Sequence, residues 1–429
     1  MSSVSANTGT AKRNPLWRNR DYNLLWAGQM VSSVGTQAST LAFPLLLLAL
    51  THSPAQAGLA GALRALPYVI FSLPAGALVD RWDRKRVMII CDALRAVALG
   101  SVPVALVFHA LTPLQIYVVS LIEGSLFVFF NVAEAASLAR IVTPEQIPAA
   151  TAQNQATESL SALVGPPFGG LLFSLAQSLP FLADAVSYAG SVISLFFMRA
   201  TFQETHTAQR RRLTQEIADG MSWLWRNKLI RYMAFLTGVS NFVGNGTFLI
   251  AIVIAQQVQH ASPFVIGLIF TIGSIGGIVG SAVSVPLQKR LSFGFVIIAS
   301  TWIWAVTTPL FAIAPNPWVM GLIFSAMFIT SPIYNVVQFG YRISIIPDEL
   351  QGRVNSAFRL IAFGGQPLGI ALAGVLLQAY GPVPAILIIS APYLVMAIMT
   401  TFNRHVREAK TIGRAVQVDE SPASAPSHQ

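Results

Sequence analysis

The sequence predicts an all-α polytopic membrane protein, with twelve transmembrane helices arranged in two pseudo-symmetric six-helix bundles. Three observations predict this class: the scarcity of charge, the length of the apolar runs and the sorting of basic residues between loops. Of the 429 residues, 54% are hydrophobic and 10% are charged, whereas soluble domains carry about 25% charged residues. A soluble globular enzyme and a disordered chain are both excluded, because either would need far more polar surface.

Twelve segments satisfy the requirement of about 20 predominantly apolar residues for a helix that crosses a bilayer. Their apolarity is continuous, whereas the strands of a membrane β-barrel alternate between apolar and polar residues. The predicted spans are 23–50, 56–79, 87–109, 113–137, 153–176 and 180–199 in the first half, and 230–256, 264–287, 294–313, 318–341, 355–379 and 383–402 in the second half.

One long polar insertion, residues 200–229, separates the two sets of six spans. Leu213, Ile217, Met221 and Leu224 recur in it at helical spacing, which predicts an amphipathic helix at the membrane surface. The predicted organisation is an N-terminal tail (1–20), an N-terminal bundle (21–200), a linker (201–229), a C-terminal bundle (230–403) and a C-terminal tail (404–429).

The basic residues orient these spans. All but three of the 27 Lys and Arg residues fall in the tails, the linker or loops that share one side if every span crosses the membrane. The loops of the opposite side carry no Lys or Arg. By the positive-inside rule, the linker and both tails are therefore expected in the cytoplasm. The net charge of +10 is then a topology signal and does not indicate a nucleic-acid partner.

The two halves of the chain contain an ordered internal repeat. Residues 131–134 (NVAE) correspond to 335–338 (NVVQ), and 165–169 (GPPFG) correspond to 365–369 (GQPLG), at offsets of 200 to 204 residues. Parallel six-span repeats are a transporter architecture, with the ligand site near the midplane between the halves. Small residues let helices approach closely, so the first copy also predicts a helix-packing motif made of Gly165, Pro166, Gly169 and Gly170.

Residues 76–87 read GALVDRWDRKRV and resemble the loop 2–3 signature of the major facilitator superfamily, Gly-x-Leu-x-Asp-Arg-x-Gly-Arg-(Lys/Arg). The chain departs from this signature at Asp83, where the family usually has Gly. Asp at this place, together with residues 180–187 (PFLADAVS) and 347–353 (PDELQGR), resembles the branch that contains enterobactin-type siderophore exporters and macrolide efflux proteins. The resemblance covers residues 20–402 and implies the major facilitator fold.

The resemblance implies a secondary transporter of the bacterial inner (plasma) membrane that exports lipophilic drug-like or siderophore-like molecules by proton antiport. The expected partners are a small-molecule substrate, protons as the coupling ion and the lipid bilayer, and the chain is expected to be a monomer. The alternatives are an importer or uniporter of a small metabolite, and a non-transporting receptor or scaffold on the same fold. The sequence has no ATP-binding loop, paired cysteines or metal-ligand motif, so no enzymatic activity, cofactor or metal is expected.

The signature loop predicts a conformational latch at the cytoplasmic ends of the helices. Gly76 is expected to let two helices approach closely, and Asp80 to face an arginine or the N-terminus of a helix. Arg81 belongs to the same motif, and Arg84 is expected to pair with Glu134 at the end of span four. The alternative interpretation is a basic loop that only sets topology.

Ionisable residues within the spans predict the coupling site, because each costs about 2.5–3.5 kcal/mol at the bilayer centre. Asp92 and Arg95 lie three residues apart on one helix face and can pair. Glu123, near mid-depth of span four, is the first candidate for a proton carrier and Asp184 is the second; each could instead be half of a structural ion pair. Glu123→Gln is predicted to abolish uphill transport and leave the protein folded. The whole set is Arg64, Asp92, Arg95, Glu123, Glu134, Glu158, Asp184 and Arg359.

Amide side chains in the spans are the candidates for the cavity wall, since a few polar groups among aromatic residues suit large amphipathic ligands. Residues 243–246 (VGNG) are a possible interruption of span seven. The candidate amides are Gln29, Gln37, Asn131, Asn241, Asn245, Asn335, Gln338 and Gln366.

Overall fold

A computed structural model describes residues 16–199 and 213–409, and every regular element in these two ranges is helical. The predictions for residues 1–15, 200–212 and 410–429 lie outside the described residues. The helices of the N-terminal bundle are α1 (Arg20–Thr51), α2 (Pro54–Val79), α3 (Arg84–Val107), α4 (Pro113–Ile141), α5 (Ile147–Leu175) and α6 (Leu179–Phe197).

The linker contains α7 (Leu213–Arg226), whose Asp219 lies 3.5 Å from Arg353 at the start of the eleventh span. The helix therefore packs on the C-terminal bundle. That bundle consists of α8 (Lys228–Val253), α9 (Pro263–Arg290), α10 (Phe293–Thr307), α11 (Pro317–Ile345), α12 (Gln351–Gly364), α13 (Gln366–Tyr380) and α14 (Pro382–Phe402), followed by the short α15 (Arg404–Arg407).

Local capping explains where several helices begin. At the starts of α2, α4, α9 and α11, a Ser, Thr or Asn side chain accepts the backbone N–H three residues later, and Pro follows it directly. This pairing satisfies a free N–H group and places Pro where its missing N–H costs nothing. Asp83, the departure from the signature, caps α3 in the same way by accepting the Arg86 N–H at 3.1 Å.

The structure confirms the predicted fold class and places the helical breaks differently. Eleven helical segments of the described chain are long and apolar enough to cross a membrane; the twelfth, α5, has 29 residues but a polar half that faces the cavity described below. The predicted interruption at 243–246 is wrong, because α8 runs through it and Gly246 packs against Gly369 of α13. The eleventh span is broken instead, between α12 and α13, where Pro367 has no N–H to continue the helix.

The backbones of the two bundles approach most closely near one end of the helices, here called the seam end, which carries residues 52–53 and 381. Ser53 donates to Gln378 at 2.8 Å, and Gly58 packs directly against the backbone of Gly374. Gly267 of α9 packs on Pro166 of α5 in the same manner. The opposite end, here called the basic end, carries residues 80–83 and 142–146. Because glycine lets two backbones meet, the seam end is tightly closed.

We expect Gly170→Ala to open the seam end, because a Cβ at this position would overlap the carbonyl oxygen of Pro263 across the seam. Spin labels at Leu175→Cys and Val258→Cys, in a Cys91→Ser background, report the distance between the bundles. The distance should increase in Gly170→Ala. Gly190→Ala is the matched control, since a Cβ there meets nothing within 4 Å. An unchanged distance in Gly170→Ala would contradict the packing role of this glycine.

Candidate functional site

A cavity of about 990 Å³ lies between the bundles. It extends from Phe43 and Ala57 near the seam end to Tyr22 and Leu138 at the basic end, so it opens at the basic end. Among its described lining residues, all charged side chains belong to the N-terminal bundle: Arg64, Arg95, Glu123, Glu134 and Glu158. The C-terminal bundle contributes only uncharged side chains: Asn245, Phe248, Leu249, Phe363, Gln366 and Ile370.

The buried centre of the N-terminal wall is Glu123, which binds two arginines. Arg64 Nε of α2 lies 2.8 Å from one carboxylate oxygen, and Arg95 Nη2 of α3 lies 2.5 Å from the other. Tyr188 of α6 donates its hydroxyl to the same carboxylate at 3.1 Å, and Thr40 accepts from Arg64 at 2.7 Å. Only 1% of the Glu123 side chain is exposed. Glu123 therefore joins helices α2, α3, α4 and α6 through charge-assisted hydrogen bonds.

Tyr188 is a component of this site that the sequence interpretation missed. The Arg95 guanidinium lies 4.0 Å from the centre of its ring, and its hydroxyl makes a 2.7 Å hydrogen bond with Thr36 of α1. The ring thus contributes a cation–π contact as well as a hydrogen bond. Its position four residues after Asp184, on the same face of α6, was the signal available in the sequence.

The pair of Asp92 and Arg95 is present, with an N···O distance of 3.6 Å. Ser191 donates to the second oxygen of Asp92 at 2.6 Å, while the first oxygen accepts no hydrogen bond from the described chain. Asp92, like Glu123, is buried. The four groups Arg64, Arg95, Asp92 and Glu123 form one connected cluster with two positive and two negative charges.

Asp184 is the fifth ionisable group at this site, and it contacts hydroxyl groups rather than a cation. Ser39 of α1 donates to its Oδ2 at 2.5 Å, and Ser187 lies 3.3 Å from Oδ1. Asp184 is fully buried where α6 packs on Gly35 of α1. It is thus adjacent to the charged cluster without having an arginine of its own.

The predicted latch is corrected in two respects. Arg84 binds Asp80 at 3.1 Å and the carbonyl oxygen of Ala136 at 3.1 Å, not Glu134. Glu134 faces the cavity instead. Gly76 brings no helices together, since a Cβ there would meet no atom within 4 Å. Arg81 is exposed at the basic end.

Two arginines of the C-terminal bundle lie outside the charged cluster. Arg359 lies in α12, inside the eleventh span, where its side chain is exposed and donates to Tyr68 of α2 on the other bundle. Arg342, assigned to a loop, lies within α11 and is buried. Its guanidinium lies 3.8 Å from the ring centre of Phe358, and its Nε and Nη1 have no hydrogen bond with the described residues. Glu158 is exposed on the cavity side of α5.

The predicted cavity amides divide into two groups. Five line the cavity: Gln29, Gln37, Asn131, Asn245 and Gln366. The other three do not, and their assignment to the wall is corrected. Asn241 donates to the carbonyl of Ala362, Gln338 donates to Thr237 and Tyr334 inside the C-terminal bundle, and Asn335 is exposed elsewhere on α11.

The helix-packing motif of α5 serves two different contacts. A Cβ at Gly169 would come within 2.5 Å of the carbonyl oxygen of Ala38, and Gly165 packs on Gln37, so both glycines pack α5 against α1. Gly170 and Pro166 face α9 across the seam. Within the described residues, no group of three His, Cys, Asp or Glu side chains is arranged to hold a metal ion.

Two six-helix bundles that enclose a cavity with buried charges on its wall define a membrane transporter of the major facilitator fold. The sequence comparison agrees with this class: the profile described as transmembrane secretion effector matches residues 11–423. The chain belongs to this family of the major facilitator superfamily.

Individual relatives are distant in sequence and similar in length. The multidrug efflux pump Tap of Mycolicibacterium fortuitum is 24% identical over 413 residues, which cover 92% of this chain and 97% of Tap. Macrolide efflux protein A of Streptococcus pyogenes is 24% identical over 373 residues, covering 85% and 91% respectively. The crystal structure of the nucleoside transporter NupG has a TM-score of 0.71 at 18% identity, covering 91% of this chain and 100% of NupG. The structural likeness shows the shared fold.

Proposed function

We propose that this transporter is a proton-coupled exporter of lipophilic, drug-sized molecules that works by alternating access. The observation that carries the proposal is the buried cluster around Glu123, which lies directly on the wall of the cavity. A volume of about 990 Å³ is at the upper end of the range for sites that hold drug-sized ligands. Tyr22, Trp26, Tyr68 and Phe127 supply aromatic lining surface.

Asp184 is the proposed carrier of the proton. The cluster of Arg64, Arg95, Asp92 and Glu123 is balanced in charge, so an ionised Asp184 would leave one uncompensated negative charge inside the membrane, which is costly. With Asp184 protonated, the five groups together are neutral. Glu123, the first candidate from the sequence, serves in this proposal to hold both arginines in place.

Two further observations support the proposed direction of transport and the proposed orientation of the protein in the membrane. The sequence relatives Tap and macrolide efflux protein A are efflux proteins, which favours export of a related kind of molecule. The basic end carries Arg81, Arg84, Lys85 and Arg86, which the positive-inside rule assigns to the cytoplasm. The cavity, open at the basic end, would then receive substrate from the cytoplasm or the inner leaflet.

The test is flux into proteoliposomes that contain the purified protein and carry an imposed pH gradient. Erythromycin and ethidium are the probes, and a pH-sensitive dye records the gradient. We expect uphill accumulation of at least one probe and dissipation of the pH gradient that depends on it. If neither probe moves and the gradient decays as in protein-free liposomes, the proposal is wrong.

We expect Asp80→Asn to slow turnover by at least about fivefold, which is the smallest effect typical of coupling between a site and a conformational equilibrium. The affinity for ligand should change little. Asp80 is exposed in this open-basic-end state and binds only Arg84 among the described residues, so its carboxylate is available to the opposite bundle when that end closes. Turnover and binding are measured separately, by flux and by thermal shift. Asp83→Asn is the matched control, because Asn caps a helix as well as Asp does. Equal turnover in both variants would argue against the latch.

A further inference from the structure

We infer that the C-terminal wall of the cavity selects the substrate through an amide pair, Asn245 and Gln366. The pair would form hydrogen bonds with an uncharged oxygen-containing group of the substrate, such as a lactone carbonyl or a hydroxyl. The inference rests on the proposed function and extends it. It assigns substrate selection to one wall and proton coupling to the other. The starting observation is the distribution of charge: the described lining residues of the C-terminal bundle include no ionisable group.

The amide pair stands at the break in the eleventh span. Gln366 begins α13 directly after the break, and its Nε2 donates to Asn245 Oδ1 of α8 at 3.1 Å. Asn245 Nδ2 in turn donates to the backbone carbonyl of Asn241 at 2.9 Å. Asn241 Nδ2 donates to the carbonyl of Ala362, at the end of α12, at 2.8 Å. These bonds fix the orientation of both amides. Broken helices at the midplane are sites where transporters bind substrate.

Hydrogen-bonding capacity remains at the pair. A side-chain amide has two N–H donors and one oxygen that accepts twice. Gln366 uses one donor on Asn245, and no described residue donates to its Oε1. One N–H and the Oε1 of Gln366 therefore remain for a molecule in the cavity. The pair can donate a hydrogen bond to a carbonyl and accept one from a hydroxyl. A ligand whose only features are a positive charge or apolar groups would make no use of these two hydrogen bonds.

The surroundings of the pair indicate the rest of the ligand. Phe248, Phe363 and Ile370 flank it on the same wall, and the Phe363 ring lies 5.1 Å from that of Tyr68 on the opposite bundle. A ligand that fits would have an apolar skeleton carrying oxygen functions. Asn245 and Gln366 are half-buried, so a ligand that covers them without offering an oxygen function would leave their polar atoms unpaired and bind more weakly.

The test compares Gln366→Leu with the wild type for two cationic probes in the same proteoliposomes. Erythromycin carries a lactone and several hydroxyls, whereas tetraphenylphosphonium has no hydrogen-bonding atom. We expect the KM for erythromycin to rise about tenfold, the value of one to two hydrogen bonds, and the KM for tetraphenylphosphonium to stay unchanged. The number of protons exchanged per erythromycin should also stay unchanged. Asn335→Leu, which removes an amide that does not line the cavity, is the matched control.

An equal change in KM for both probes would overturn the inference, because Gln366 would then only shape the cavity. An unchanged KM for both probes would overturn it as well. Binding separates this result from a failure of the export proposal. Trp26 lines the cavity, so tryptophan fluorescence can report erythromycin binding without any flux. A weaker fluorescence titration in Gln366→Leu supports the inference even if no export is seen. Equal titrations in both proteins, or no response in either, overturn it.

Discussion

Glu123→Gln is expected to destabilise the folded protein by about 3–5 kcal/mol, the cost of removing one partner from a buried ion pair. The variant leaves the Arg64 and Arg95 guanidiniums with a neutral amide in place of the carboxylate that both now bind. Thermal unfolding of the purified protein, followed by tryptophan fluorescence, measures the loss. This expectation replaces the prediction from sequence that the variant would stay folded.

Two comparisons make the result specific. Glu158→Gln is the matched control, because Glu158 is exposed and its charge is not needed to balance an arginine. Arg64→Met combined with Glu123→Gln should recover part of the lost stability, since it removes one of the two unpaired cations; interaction energies between contacting residues are measured by such double variants. Unchanged unfolding of Glu123→Gln would mean that the cluster does not hold the helices together.

The sequence predicted the helices well because their signals are local. Apolar runs of sufficient length set the spans, and Ser, Thr or Asn followed by Pro set many helix starts. The break in the eleventh span was also encoded locally, by Pro367, but a single Pro is common in helices that stay continuous; Pro44 lies inside α1. The two glycines at 243–246 led to the opposite error, because α8 continues through them and Gly246 packs against α13.

The partners of charged residues were harder to predict. Depth in the membrane follows from sequence position, so Glu123, Arg64 and Arg95 could be expected near one another. The rotation of each helix does not follow from sequence position, and it decides contacts between helices. For this reason Arg84 was paired with the wrong residue. Tyr188 was missed for a related reason: its spacing from Asp184 put both residues on one face of α6, but the contacts of its ring and hydroxyl with Arg95 and Glu123 depend on how α6 is rotated against α3 and α4.

Asp184→Asn is expected to abolish uphill transport and to preserve the fold. Asn keeps one oxygen, which can still accept from Ser39, and Ser187 also donates to the backbone carbonyl of residue 184 at 2.7 Å. The new NH2 group lies beside the Ser187 hydroxyl, to which it can donate, so no buried polar group is left unpaired. It removes the only proton-binding group in the five-residue site that has no arginine in contact. Proteoliposomes should then show exchange of labelled for unlabelled substrate at rates near the wild type, but no accumulation driven by a pH gradient.

The control for this result is Ser187→Ala, which removes a neighbour of Asp184 without removing a titratable group and should retain accumulation. Asp184→Glu, which restores a carboxylate, should recover part of it. The two readouts separate the possible roles of Asp184. Loss of both exchange and accumulation would indicate a structural role. Wild-type accumulation in Asp184→Asn would exclude Asp184 as the carrier. Only retained exchange without accumulation indicates that the energy of the proton gradient enters the transport cycle at this carboxylate.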